Sequence, residues 1–177
     1  MNHILRIEFT RPVNKILPIF SYGIRAVQRT QYSHVRIVFY NSRGVKIVYE
    51  ASGSSVKFLG TVAQESHKVE VIKSYEMDLS KTEFQGLVDL CLKYSGISYG
   101  KLQIIGMLWS YIFSLDKNPF ADDGKSQVCS ELVGRFLEEV MGFEIDVNLD
   151  VAGPREIDEF LDRCAENGLV RRAAIPV

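Results

Sequence analysis

The chain has 177 residues, 46% of them hydrophobic, with 21 basic and 22 acidic side chains and a formal net charge of -1. That length lies in the usual one-domain range and brings enough apolar side chains for a core without metals or disulfides, so one domain over residues 1–177 is expected. A charge this close to zero excludes, at the level of the whole chain, an electrostatic case for nucleic acid or an anionic membrane as partner.

Three cysteines stand far apart, at 91, 129 and 164, with no CxxC pair and no Cys/His spacing of a zinc site. An odd, sparse set leaves at least one thiol free and fits a reducing compartment, which gives a cytoplasmic expectation. Met1 to Pro12 lacks the basic start, apolar run and cleavage site of a secretory signal. Ile104 to Leu115, the most apolar stretch, is broken by Gly106 and Ser110 and is shorter than the roughly 18 to 20 residues a bilayer span requires. It is predicted as a buried or partly exposed helix, not a transmembrane segment. No residue pattern calls for a cofactor or a metal.

In chain order, Ile4 to Phe9 alternates as a strand, and Asn14 to Thr30 has apolar residues at helical spacing, interrupted early by Pro18. His34 to Tyr40 and Val45 to Glu50 are two short strands separated by Asn41-Ser42-Arg43-Gly44, which is turn chemistry, so a β-hairpin is predicted. Val56 to Leu59 and His67 to Ile72 add strands, and an antiparallel sheet follows. The second half is mainly helical. Ser80 with Glu83 forms a capping box ahead of the stripe Phe84, Leu87, Val88, Cys91, and Gly96 ends that helix.

A further helix starts close to Cys129, with Leu132, Val133, Phe136, Leu137 and Val140 inward, Glu131, Arg135, Glu138 and Glu139 outward, and Gly142 as its stop. The last begins at Pro154, with Glu156, Asp158 and Glu159 complementing its dipole, a buried stripe of Ile157, Phe160, Leu161 and Cys164, and Gly168 beyond its end. The class predicted is α+β.

Cys91 and Cys164 fall mid-helix on apolar stripes, where a thiol behaves as a small, inert hydrophobe. Cys129 shares an inward face but sits in the first turn of its helix, where unpaired N–H groups and the dipole favour the thiolate and can hold an oxyanion. Taken alone this leaves a plain core role open. A nucleophilic cysteine needs a base, and the chain offers His3, His34 and His67. His3 is expected in solvent near the terminus and His67 at the surface of a strand start.

His34 is different. If Gly44 takes the left-handed place of a bulged turn, Asn41 pairs with Val45 and Arg36 with Glu50, so that His34 and Glu50 become diagonal neighbours on one face. A plain two-residue turn at Ser42-Arg43 would send them to opposite faces. The other face of the hairpin, Val35, Ile37, Phe39, Ile47 and Tyr49, is fit for the core.

Ser33-His34-Val35 entering a strand, Val48-Tyr49-Glu50-Ala51 ending the next, and Val128-Cys129-Ser130-Glu131-Leu132-Val133 opening a late helix together resemble the circularly permuted NlpC-like branch of the papain-fold superfamily. That group includes relatives of lecithin:retinol acyltransferase, and its mark is that His precedes Cys. Tyr94 to Tyr99 looks like the family's segment before the cysteine helix, and Gly153-Pro154-Arg155-Glu156-Ile157 like its late helix start.

The resemblance implies Cys129 as nucleophile, His34 as general base and Glu50 as the third, orienting member. It also implies part of the oxyanion hole at the Cys129 N–H, with Tyr99 and Ser33 as candidates for oxyanion or substrate contact; a packed aromatic is the competing role for Tyr99. The stretch from Ile104 to Asp123 departs from the family pattern and could cover the cleft, bind an acyl chain or meet a partner.

The function so implied is a thiol hydrolase working through an acyl-enzyme, a cysteine peptidase or amidase acting on peptide amide bonds such as those of cell walls. A lipid ester or thioester hydrolase or acyltransferase is the alternative. A non-catalytic binding module on the same scaffold is the reading of another class.

Overall fold

The computed structural model describes residues 3–13, 19–40, 44–59, 69–122 and 124–175. The strands are β1 (His3–Pro12), β2 (His34–Tyr40), β3 (Lys46–Ser52), β4 (Ser55–Leu59), β5 (Val69–Leu79) and the two-residue β6 (Ser98–Tyr99), β7 (Ser126–Gln127) and β8 (Arg171–Arg172). The helices are α1 (Ile19–Gln28), α2 (Lys81–Tyr94), α3 (Lys101–Phe113), α4 (Cys129–Arg135) and α5 (Pro154–Glu166). Among the described residues the strands form one mixed eight-stranded sheet, ordered β7-β6-β4-β3-β2-β1-β5-β8. Among the described residues only β6 and β7 pair in parallel. The fold is α+β, a sheet packed against helices.

Period-two alternation decides which side of the sheet carries the core. Leu5, Ile7 and Phe9 of β1, Val35, Ile37 and Phe39 of β2, and Tyr75, Met77 and Leu79 of β5 are all buried. They form one cluster with Leu87 and Cys91 of α2, Leu132 and Val133 of α4, and Ile157 and Leu161 of α5. The intervening residues Glu8, Thr10 and Arg36 are polar yet buried. Glu8 and Arg36 stand opposite each other on β1 and β2 and are joined at 2.6 Å, so that the two buried side chains compensate each other. On that side α1 packs on α3, with Ile24, Ile104, Met107 and Val128 forming a second apolar cluster.

Several expectations are corrected. The α2 capping box is present, Ser80 accepting from the Glu83 N–H and Glu83 from the Ser80 N–H, but the buried face is Leu87, Leu90, Cys91 and Tyr94. Phe84 and Val88 flank it, half-buried. His3, expected in solvent, is half-buried, its ring stacked on Phe84 at 3.9 Å.

Glu131, expected outside, is buried, because α4 is wrapped by neighbours and Arg135 folds back on its carboxylate at 2.8 Å. The cysteine helix does not run on as a regular α-helix; a π-helical turn, Phe136–Val140, follows α4. Asp158, expected to complement the helix dipole, is also buried and accepts from Tyr32 at 2.5 Å and Tyr75 at 2.6 Å.

β5 continues to Leu79, well past the expected end at Ile72, since the alternation of Tyr75, Met77 and Leu79 carries the strand on. The expected strand start at His67 and Lys68, the helix start at residues 14–18 and the turn residues 41–43 lie outside the described residues. Among the described residues, no helix is long and apolar enough to cross a membrane. The apolar segment 104–115 lies mostly in α3, with Ile104 and Met107 buried and Ile105, Trp109, Ile112 and Phe113 exposed.

Candidate active site

The β2–β3 hairpin sets the geometry. Gly44 has φ 72°, the left-handed conformation that a side chain disfavours, and the ladder runs from Tyr40↔Lys46 to Ile37↔Tyr49. This is the bulged register. The ladder ends one pair short of Arg36 and Glu50, whose relative position it fixes. His34 and Glu50 therefore share a face, and His34 Nε2 lies 2.9 Å from Glu50 Oε2.

Glu50 is buried, and its other oxygen, Oε1, accepts from the Ser52 hydroxyl. Burial raises its pKa, but the His34 charge and hydrogen bond, the Ser52 hydroxyl and Arg36 outweigh that and bring it down to about 2. The carboxylate stays ionised. Ser52 was not singled out in the sequence, although it lies two places after Glu50 in a strand and so shares its face.

Cys129 is the first residue of α4, after Val128 in extended conformation, and α4 packs on β2 and β3. The donors near its thiol that favour the thiolate through hydrogen bonding are His34 and the backbone N–H groups of Val35 and Ser130. Burial opposes ionisation, yet the His34 charge and these hydrogen bonds hold the thiol below its ordinary pKa. Burial likewise disfavours imidazolium, but the Cys129 thiolate and then Glu50 push His34 up to about 10. With Nε2 engaged by Glu50, Nδ1 is the ring nitrogen left for the sulfur. Each charge favours the other, the imidazolium lowering the thiol's pKa and the thiolate raising the imidazole's.

The other two cysteines behave differently. Burial alone pushes Cys91 up to about 12, and burial also raises Cys164; both remain thiols in the core.

His34 and Glu50 line a cleft of about 510 Å³ together with Tyr99, Ser33, Ser52 and Thr10. Tyr99, on β6, is half-buried, and burial followed by the negative charges of Cys129 and Glu50 keeps its phenol protonated. Ser33 is buried with its hydroxyl on that of Ser21 of α1 at 2.6 Å. The cleft also takes in Arg36, Lys57 and Lys101, which sequence reasoning missed. Lys57 was legible in principle, as the residue directly opposite Glu50 on β4. Among the described residues, no group of three or more His, Cys, Asp and Glu side chains is arranged to hold a metal ion.

No protein-family model matches this chain, and no curated protein matches it either.

Proposed function

We propose that this chain is a thiol hydrolase of permuted papain-like type, in which Cys129 is the nucleophile, His34 the acid and base, and Glu50 the group that orients His34. The carrying observation is the His34–Glu50 hydrogen bond at 2.9 Å, with Cys129 near enough to His34 for thiolate and imidazolium to stabilise each other. The order supports the papain-like reading too: the His and Glu strands precede the cysteine helix, which packs on them.

The thiolate attacks a carbonyl carbon, forming an S–C bond. The Val35 and Ser130 N–H groups hold the thiolate before attack, and Tyr99, protonated at the cleft wall, can donate to the oxyanion. On collapse the bond to the leaving group breaks and His34 gives that group its proton. Water then attacks the thioester while His34 accepts its proton, and hydrolysis releases the acid and the thiol. Peptide or other amide bonds are the substrate class favoured by the resemblance.

The test is the pH dependence of iodoacetamide labelling at Cys129, read by mass spectrometry in wild type and in His34→Ala. Fast labelling at or below neutral pH that is lost in the variant is the expected result. A free-thiol profile with pKa about 8.5, unchanged by the substitution, points instead to a binding module.

A second reading, a lipid ester hydrolase or acyltransferase, is favoured by α3: Ile104 on its inner side lines the cleft, while Trp109, Ile112 and Phe113 stand exposed on the same helix. Acyl release from a lipid panel without peptide cleavage would select this reading.

A further inference from the structure

The cleft holds cations that the Cys129–His34–Glu50 chain does not use. Lys57 lies opposite Glu50 in the β3–β4 ladder, so both side chains leave the sheet on one face. Yet Glu50 is engaged by His34 and Ser52, and Lys57 Nζ reaches over the turn, 3.7 Å from where a Cβ on Gly53 would sit. Lys101, also in the cleft wall, is the first residue of α3, whose first turn has no acidic residue. A cation there opposes the helix dipole, so helix stability does not account for it. Among the described residues neither lysine has an ion-pair partner; Arg36, by contrast, is held by Glu8.

Another polar group lies in the cleft wall. Thr10, fully buried, lines the same cleft, and among the described residues its Oγ1 has no hydrogen-bond partner. A buried hydroxyl left unpaired is costly, so the cleft wall carries an unsatisfied polar group at this place. Beside these polar groups run Phe20, Ile24, Leu59 and Ile104.

We propose that the cleft selects substrates bearing an anionic group, a carboxylate or a phosphate, on an apolar body, with Lys57 and Lys101 as the specificity-determining residues. This rests on the thiol-hydrolase reading for the word substrate. The charge selection itself is tested without knowing the reaction.

The experiment compares the rates at which iodoacetate and iodoacetamide alkylate Cys129 in wild type, Lys57→Gln, Lys101→Gln and the double variant. The ratio is internal to each protein, so a change in thiol reactivity or folding common to both reagents cancels. The iodoacetate-to-iodoacetamide ratio should fall about threefold in each single variant and about tenfold in the double, and in wild type it should fall with added salt, as screening of exposed charges requires. A wild-type ratio that survives in the double variant overturns the proposal, since His34 alone would then be attracting the anion.

Protection of Cys129 from iodoacetamide by octanoate or octyl phosphate, and not by octanol, supports the proposal and says which anion fits; equal protection by all three overturns it. A free-thiol pH profile at Cys129 would remove the hydrolase reading, while the ratio would still decide the charge selection.

Discussion

His34 and Glu50 meet at 2.9 Å across the β2–β3 hairpin, as diagonal and not directly opposite partners, so the contact exists only in the register that Gly44 permits. One residue of slippage would put the two side chains on opposite faces. A Glu50→Gln variant keeps an acceptor for His34 Nε2 but removes the charge. Labelling of Cys129 near neutral pH is expected to slow by about threefold to tenfold, and more in Glu50→Ala, which also loses the orientation. Equal rates in wild type and both variants would separate Glu50 from the site.

The raised pKa of His34 owes more to Cys129 than to Glu50. In Cys129→Ala the burial that lowers it remains while its largest raising contribution is gone, so an NMR titration should find the His34 pKa well below about 10. An unchanged value would show that the sulfur carries no negative charge beside the ring.

Glu50 predicts an acid limb of stability. Its folded pKa is depressed from 4.5 to about 2, so its contribution is fully present above the unfolded value and is lost as pH falls through the folded one. Between pH 4.5 and about 2 the thermal midpoint of wild type should fall more steeply than that of Glu50→Gln. Parallel curves would contradict the depressed pKa.

α3 is clasped to the loop before α5 through Asn118, whose Nδ2 donates to the Gln103 and Asp150 carbonyls at 2.9 and 3.1 Å. A Cβ on Gly106 would collide with that Asn118 amide. Gly106→Ala is expected to cost about 1–3 kcal/mol and to lower Tm by roughly 2–10 °C. Asn118→Ala should cost stability as well, and the double variant should lose less than the two singles added together, because they act on one contact. Full additivity in a denaturation series would refute the clasp.

Much of this was legible in the chain. Alternation in β1, β2 and β3, the Ser80–Glu83 capping box, the Pro154 start and Gly44 all encode local conformation, since each depends on residues a few places apart. Cys129 in a first turn and His34 with Glu50 on one hairpin face follow from the same short-range rules. The errors cluster where neighbours distant in sequence decide burial. Glu131 reads as an outward charge on a helical wheel, but α4 is surrounded, and nothing local to Asp158 says that Tyr32 and Tyr75 close over it.

Sequence by itself determined the α+β class and narrowed the hairpin to two registers, because periodicity, turn chemistry and helix ends are local properties of a chain. Only the tertiary structure decided that α4 packs on β2 and β3 so that Cys129 meets His34, and that Lys57, Lys101 and Thr10 share one cleft. These depend on how elements separated by dozens of residues pack, and packing is set by the summed burial of both faces of the sheet, which no single segment encodes.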